Sequence, residues 1–64
     1  MLHKRIEFKV AIIKNGMRQH ELAKKLGLTG HYISDVIVGI SNLSEIKQIE
    51  AARILNIPRE ILFK

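Results

Sequence analysis

Turn-forming residues interrupt this chain at short intervals and restrict it to short elements of secondary structure. Asn15-Gly16, Gly27, the stretch 39–42 and the stretch 56–58 separate five segments, each suited to a helix of about two to four turns. Between these breaks the apolar residues mostly recur three or four positions apart, which is the helical period. The breaks and the period together predict five short helices and no sheet, that is, an all-α fold.

The first segment, residues 3–14, fits two periods. Ile6, Phe8 and Val10 alternate with charged residues, as in a strand. We predict a helix instead, because no later segment offers a strand partner and a lone strand leaves its backbone groups unsatisfied. Asn15-Gly16 would end this helix as a left-handed cap. The helix would carry more apolar surface than one core face requires, in two stripes: Leu2, Ile6, Val10 and Ile13 in one, and Phe8, Ala11 and Ile12 in the other.

The second and third helices are predicted at 18–26 and at about 30–38. Gly27 would close the second helix in a left-handed conformation, Thr29 would cap the third, and Gly39 would end it. The core residues of both helices follow the helical period: Leu22, Ala23 and Leu26 in the second, and Ile33, Val36 and Ile37 in the third.

The last two helices are predicted at about 43–55 and at 58–63. The fourth has two candidate N-caps: Asn42, which forms a capping-box pattern with Glu45, and Ser44. Pro58 suits the first turn of the final helix, which is expected to return Ile61 and Leu62 to the core. The core stripe predicted for the fourth helix is spaced at three residues: Leu43, Ile46, Ile49, Ala52 and Leu55.

Composition excludes several classes of protein. The 64 residues, 47% of them apolar, suffice for one domain over 1–64, and the absence of cysteine excludes disulfides and thiolate metal sites. His3, His20 and His31 fit no zinc pattern, and Ser34 has no His–acid pair to activate it. We therefore predict no metal, no cofactor and no enzymatic activity. The apolar runs are too short for a membrane span and no signal peptide opens the chain, so a cytoplasmic protein is expected.

The net charge is +5, and the first half of the chain carries all of it. Residues 1–32 contain seven basic and two acidic side chains, whereas residues 33–64 contain four of each. A small basic domain points to a polyanionic partner, either nucleic acid or an acidic membrane surface. The alternative is that the charge only keeps the protein in solution.

The most informative stretch is 19–34, which reads Q-H-E-L-A-K-K-L-G-L-T-G-H-Y-I-S. Ala23 must be small, because two helices that cross near a right angle bring their backbones close together there. Gly27 lies in a three-residue turn whose geometry needs a residue without Cβ. The angle between the helices would be filled by Leu22, Leu26, Leu28 and Ile33. This pattern predicts a helix-turn-helix over about 18–38.

The stretch resembles the helix-turn-helix of the phage-repressor and Cro class, also called the xenobiotic response element family. The resemblance continues at Gly39, in residues 49–57 (I-E-A-A-R-I-L-N-I) and in the closing turn Ile61-Leu62-Phe63. It implies a five-helix, lambda-repressor-like domain that binds double-stranded DNA. The implied function is that of a small transcriptional repressor or regulator of phage or mobile-element type.

The resemblance also implies roles for individual residues. The recognition helix would enter the major groove by its N-terminal part, and Gln19 would grip a phosphate and brace that helix. Lys24 and Lys25 could reach phosphates, with Lys14 and Lys47 as weaker candidates. The residues expected to face DNA are Thr29, Gly30, His31, Ser34, Asp35 and Val38.

The recognition helix departs from the family pattern in its charge. It lacks Arg and Lys, the commonest readers of guanine, and carries Asp35, which repels phosphate but can accept a hydrogen bond from cytosine. Arg18 stands where the family usually has a Ser or Thr cap, and Tyr32 is expected to pack against helix one or a loop. These departures keep a second function open, a protein-interaction module such as an antitoxin or adaptor. An amphipathic peptide on a membrane surface is disfavoured by the compact helical pattern.

A homodimer is expected, because one short recognition helix reads only a few base pairs. Several apolar residues are left over for an interface, including the second stripe of helix one, Val38 and Ile40. The C-terminal patch with Ile61 and Phe63 is the candidate interface. The alternative is that these side chains complete the core of the monomer.

Overall fold

The computed structural model describes residues 4–63, and these residues form five α-helices and no strand. The predicted all-α, five-helix fold is confirmed. Leu2 and His3, which the sequence singled out, lie outside the described residues. In chain order the helices are α1 (Ile6–Lys14), α2 (Gln19–Leu26), α3 (Gly30–Val38), α4 (Glu45–Leu55) and α5 (Arg59–Leu62).

One apolar core holds the helices together, and every helix contributes to it. Near the two ends of the chain the rings of Phe8 and Phe63 pack with centroids 4.9 Å apart and planes tilted by 51°. Such pairs add about 0.5–1.5 kcal/mol beyond the burial of their area, which is substantial for a domain without disulfides. The buried core side chains are Phe8, Ala11, Ile12, Leu22, Ala23, Leu26, Ile33, Val36, Ile37, Leu43, Ala51, Leu55 and Leu62.

Only one of the two apolar stripes of α1 is buried. The inward stripe consists of Phe8, Ala11 and Ile12. The other stripe remains on the surface of the domain, where Ile6, Val10 and Ile13 are exposed. The first segment is therefore a helix, and its surplus apolar surface is free in the monomer.

The end of α1 is linked to the end of α4. Gly16 takes the left-handed conformation with φ 70°, whereas Asn15 keeps φ −84°. The side-chain amide of Asn15 donates to the carbonyl oxygens of Ala11 at 2.8 Å and Leu55 at 3.2 Å. The predicted cap is thus shared, since Gly16 supplies the backbone conformation and Asn15 the hydrogen bonds.

The predicted start of α4 is two residues too early. The helix begins at Glu45, and its N-cap is Ser44, whose hydroxyl accepts a hydrogen bond of 3.3 Å from the N–H of Lys47. Ser44 therefore caps this helix, and Asn42 lies in the preceding loop.

The predicted core stripe of α4 is wrong at two of its positions. Ile46 and Ile49 are exposed, while Ala51 and Leu55 are buried one turn apart. With 3.6 residues per turn, a series of three-residue steps drifts around the helix, whereas a four-residue step stays on one face. The buried face of α4 follows the four-residue step.

The final helix is shorter than predicted and turns only one of its two apolar residues inward. Leu62 is buried, but Ile61 is 44% exposed, so the expectation that both return to the core is wrong. Adjacent residues on a helix point about 100° apart, and a single turn has room for one inward position. Phe63 is partly buried against Phe8 and belongs to the core of the monomer, not to a free C-terminal patch.

Candidate nucleic-acid interface

The turn between α2 and α3 has the geometry that the sequence predicts. Gly27 ends α2 in the left-handed conformation with φ 73°, and the N–H of Leu28 donates back to the carbonyl oxygen of Ala23 at 2.8 Å. A Cβ at Gly27 would meet no atom within 4 Å, so the backbone conformation and not the space requires glycine there. Ala23 is buried in the core, as expected of the small residue between two crossing helices.

The start of α2 is capped from inside the helix. Arg18 is the N-cap, and its guanidinium has no acceptor to offer the first N–H groups. The carboxylate of Glu21 accepts a hydrogen bond of 2.9 Å from the N–H of Arg18. Glu21 thus supplies one half of a capping box, which replaces the usual Ser or Thr cap.

The third helix begins at a side-chain cap and presents a polar face outward. The hydroxyl of Thr29 accepts a hydrogen bond of 3.1 Å from the N–H of Tyr32, which confirms the predicted cap. The inward residues are those predicted: Ile33, Val36 and Ile37. On the opposite face, three residues lie within about 60° of one another around the axis, namely His31, Ser34 and Val38, and all three are at least partly exposed.

His31 and Asp35 pair across one turn of α3. Nε2 of His31 lies 3.5 Å from Oδ2 of Asp35, and the two side chains are 87% and 27% exposed. Asp35, the acidic residue of α3, therefore lies beside His31 at the edge of the outward face. The charge of Asp35 is offset only when the imidazole of His31 is protonated.

The first residue of α3 lies against the first turn of α2. A Cβ at Gly30 would stand 3.3 Å from Cβ and 3.4 Å from Cα of His20, which is tighter than ordinary van der Waals contact. The N-termini of α2 and α3 are thus neighbours, and the first N–H groups of a helix have no acceptor within it. Gly30 permits this close approach, a role that its cost in helix propensity alone does not reveal.

The remaining candidate residues lie on α2. Gln19 is its first residue, partly exposed and adjacent to His20, so it lies near the start of α3. Lys24 and Lys25 are exposed, and with His20 and Glu21 they line a shallow hollow on α2. Gln19 therefore lies near the N-terminus of α3. The two lysines lie further along α2, in the same hollow as His20 and Glu21.

The C-terminal end of α3 is held by the N-terminal segment. The N–H of Arg5 donates to the carbonyl oxygen of Ile37 at 2.7 Å, and its Nη1 donates to that of Val36 at 2.6 Å. Nη2 donates to the side-chain oxygen of Asn42, whose backbone carbonyl accepts a hydrogen bond of 2.7 Å from the hydroxyl of Tyr32. A cation at the C-terminus of a helix also complements its dipole. Tyr32 packs on a loop, as predicted.

A family model described as helix-turn-helix matches residues 9–62, which cover most of α1 and all of α2 to α5. The chain belongs to this helix-turn-helix family. Membership confirms the resemblance to the phage-repressor and Cro class and gives the chain a general function in DNA binding and transcription regulation, in a family that is not enzymatic. Neither the curated proteins nor the solved structures compared with the chain gave a match.

Within residues 4–63 of this helix-turn-helix domain, no helix has the length and apolar character needed to cross a lipid bilayer. Across the same range, no three His, Asp or Glu side chains converge into a group that could hold a metal ion. His20 and His31 therefore take part in no such group, and His3 lies outside the range.

Lys47 of the helix-turn-helix domain is engaged within the protein. Its Nζ donates to the carbonyl oxygen of Leu26 at 2.7 Å and lies 3.8 Å from the carboxylate of Glu50. Lys47, which belongs to α4, thus provides a hydrogen-bond donor for a carbonyl group in the last turn of α2. Lys47 was a weaker candidate for a phosphate contact in the sequence analysis. In the structure its ammonium group caps the C-terminal end of α2.

The positions of two residues near α3 are not predictable from the sequence pattern. His20 lies between the N-termini of α2 and α3, and the available signal is Gly30, since glycine at the first helical position indicates a close neighbour. Arg5 binds α3 across 31 residues of chain, and no local pattern reports a hydrogen bond of that span.

Proposed function

We propose that this domain recognises specific sites on double-stranded DNA and acts as a small transcriptional repressor of phage or mobile-element type. The observation that carries the proposal is the outward face of α3. His31 and Ser34 are accessible on that face, while the opposite face is fixed by three buried side chains, Ile33, Val36 and Ile37. To read base edges in the major groove, a helix needs accessible side chains on its outer face and an inner face fixed in the core of the domain.

Base contacts are assigned to the outward face of α3. Ser34 can donate to or accept from a base edge, and Asp35 can accept from the amino group of cytosine. Val38 would contact the methyl group of a thymine, and His31 would donate from the N-terminal end of the face. With no Arg or Lys in α3, guanine reading through a bidentate guanidinium is not part of this mechanism.

Phosphate contacts are assigned to α2 and to the helix N-termini. Gln19 would hold a phosphate beside the start of α3, and the N–H groups near Thr29 and Gly30 would add backbone contacts. Lys24 and Lys25 would contribute charge from the hollow on α2. These contacts position the domain on the duplex and carry no sequence information themselves.

We further propose that the domain binds DNA as a homodimer. A nine-residue recognition helix spans only a few base pairs, whereas two copies on a two-fold axis would read two half-sites about 34 Å apart. Doubling the phosphate contacts also compensates for the absence of basic residues on α3.

Selection from a pool of random duplexes, followed by sequencing, tests the proposed function. An enriched inverted repeat with half-sites about one helical turn apart supports sequence-specific binding by a symmetric dimer. Placing the recovered site over a promoter of a reporter then tests repression. Failure to enrich any sequence contradicts the proposal.

The second candidate is a protein-interaction module, and the charge of α3 favours it. A surface built only to hold DNA would be expected to place cations on its recognition helix, and α3 has none. An antitoxin or adaptor role predicts a stable complex with a protein and little dependence on salt, whereas DNA binding predicts a steep dependence.

A further inference from the structure

The exposed stripe of α1 continues into an apolar groove. Ile6 and Val10 of that stripe line the groove together with Ile57 and Ile61 from the C-terminal part of the chain, and Ala11 lies in its wall. We call this surface the α1–α5 groove. It joins the exposed stripe of α1 and Ile61, which the sequence analysis placed in separate apolar patches, into one contiguous surface.

Two opposite charges flank the α1–α5 groove at the two ends of α1. Glu7 lies in the first turn and Lys14 in the last, and both line the groove. They are seven residues apart and therefore share one side of the helix. Lys9 does not line the groove. The surface is thus apolar along its length, acidic at one end and basic at the other.

The stripe has the spacing of a helix–helix seam. Ile6, Val10 and Ile13 follow steps of four and three residues, as in the apolar positions of a heptad. In an antiparallel pair of such helices, the N-terminal end of one lies beside the C-terminal end of the other. Glu7 of each copy would then face the partner's Lys14, so the surface is complementary to itself, as a two-fold interface requires.

We propose that a second copy of this chain docks on the α1–α5 groove, with the two α1 helices packed antiparallel about a two-fold axis. The proposal rests on the homodimer of the proposed function and names its interface. Ile61 of each copy would contact the exposed stripe of the other, and the two Glu7–Lys14 pairs would set the register. This interface replaces the C-terminal patch of Ile61 and Phe63, because Phe63 packs on Phe8.

Charge exchange tests the register directly. Sedimentation equilibrium at low ionic strength, where exposed pairs are least screened, should give the wild type twice its monomer mass of 7.3 kDa. E7K and K14E should each raise the dimer dissociation constant by about tenfold, because each places like charges opposite one another twice. An equimolar mixture of E7K and K14E, and the double variant E7K/K14E, should both recover the dimer.

The mixture also separates a lost interface from a lost fold, since two misfolded variants could not restore each other. As an apolar test, Ile6→Ser should weaken the dimer, while Ile46→Ser should not: the two isoleucines are 64% and 69% exposed, but Ile46 lies outside the groove. Self-association of E7K and K14E equal to that of the wild type would overturn the proposal, as would a mixture that fails to recover the dimer.

DNA binding is measured separately, so the two failures can be told apart. A dimer that persists in both single variants rejects only this interface, because the proposed function is judged by the binding of the wild type to the selected duplex. A wild type that stays monomeric alone and on a saturating palindromic duplex rejects the interface together with the homodimer. If the wild type is a dimer but binds no DNA sequence specifically, the proposed function is rejected and the proposed interface is not.

Discussion

The Nη1 atom of Arg5 lies 2.6 Å from the carbonyl oxygen of Val36, so a cation from the N-terminal segment closes the last turn of α3. The same side chain reaches Asn42 in the loop after α3. Arg5 contributes to the basic charge of the first half of the chain, but its guanidinium binds within the protein and stabilises α3, the helix proposed to read DNA.

Arg5→Ala should therefore destabilise the domain. The change removes the hydrogen bonds that the guanidinium donates to the Val36 carbonyl oxygen and to the side chain of Asn42, and hydrogen bonds to charged groups contribute about 1.5–3 kcal/mol. Thermal unfolding followed by circular dichroism measures the loss. Lys4→Ala is the matched control, because it removes the same charge from an exposed neighbour. Equal melting temperatures for the two variants would contradict the role given to Arg5.

Gly27→Ala should destabilise the domain although no atom obstructs the new side chain. The cost is conformational, about 1–2 kcal/mol for an L-residue held in the left-handed region. Gly27→Asn should cost less, because asparagine tolerates this conformation better. Denaturant unfolding of both variants gives the comparison, and an alanine variant as stable as the wild type would contradict the account of this turn.

Ala23→Leu should distort or unfold the domain, because the side chain is buried where α2 crosses its neighbour. Overpacking of this kind typically costs about 1–3 kcal/mol, a large share of the stability of so small a domain. Lys24→Leu is the control, since it adds a leucine at the next, exposed position of α2. An unchanged melting temperature for Ala23→Leu would place the helix crossing elsewhere.

Gln19→Ala and Ser34→Ala should differ in kind. Loss of a phosphate contact at Gln19 should weaken binding to the selected duplex and to random duplexes alike. Loss of a base contact at Ser34 should relax the preference at one base pair, by about 1–3 kcal/mol at most. Binding of each variant to a panel of single-base-pair substitutions separates the two cases. Identical profiles for both variants would reject the assignment.

The helix-turn-helix could be predicted from the sequence because local rules determine it. Gly27 and Thr29 mark the two ends of the turn, and the period of apolar residues in α2 and α3 identifies their inner faces. The three-residue spacing predicted the wrong inner face for α4, because it selected Ile46 and Ile49, which are exposed, and missed Ala51, which is buried. Only packing against the other helices decides between them.

The long-range hydrogen bonds that fix the C-terminal ends of α2 and α3 were not predictable from local sequence patterns. Arg5 and Lys47 both bind the last carbonyl groups of a helix distant in sequence. In a sequence, such residues are indistinguishable from solvent-exposed cations that could contact phosphate. The close approach of Gly30 and His20 likewise depends on the angle between two helices.

The salt dependence of DNA binding tests the central claim most directly. Fluorescence anisotropy with the selected duplex, repeated over a range of salt concentrations, gives the slope of log K against log salt. If each protomer neutralises ~4 phosphates, the slope should be about −3.6 per protomer. Replacing Lys24 and Lys25 together by alanine should make it shallower by about 1.8, a step of roughly 0.9 for each lost contact. A flat salt response, or no binding to the selected duplex at low salt, would contradict the account.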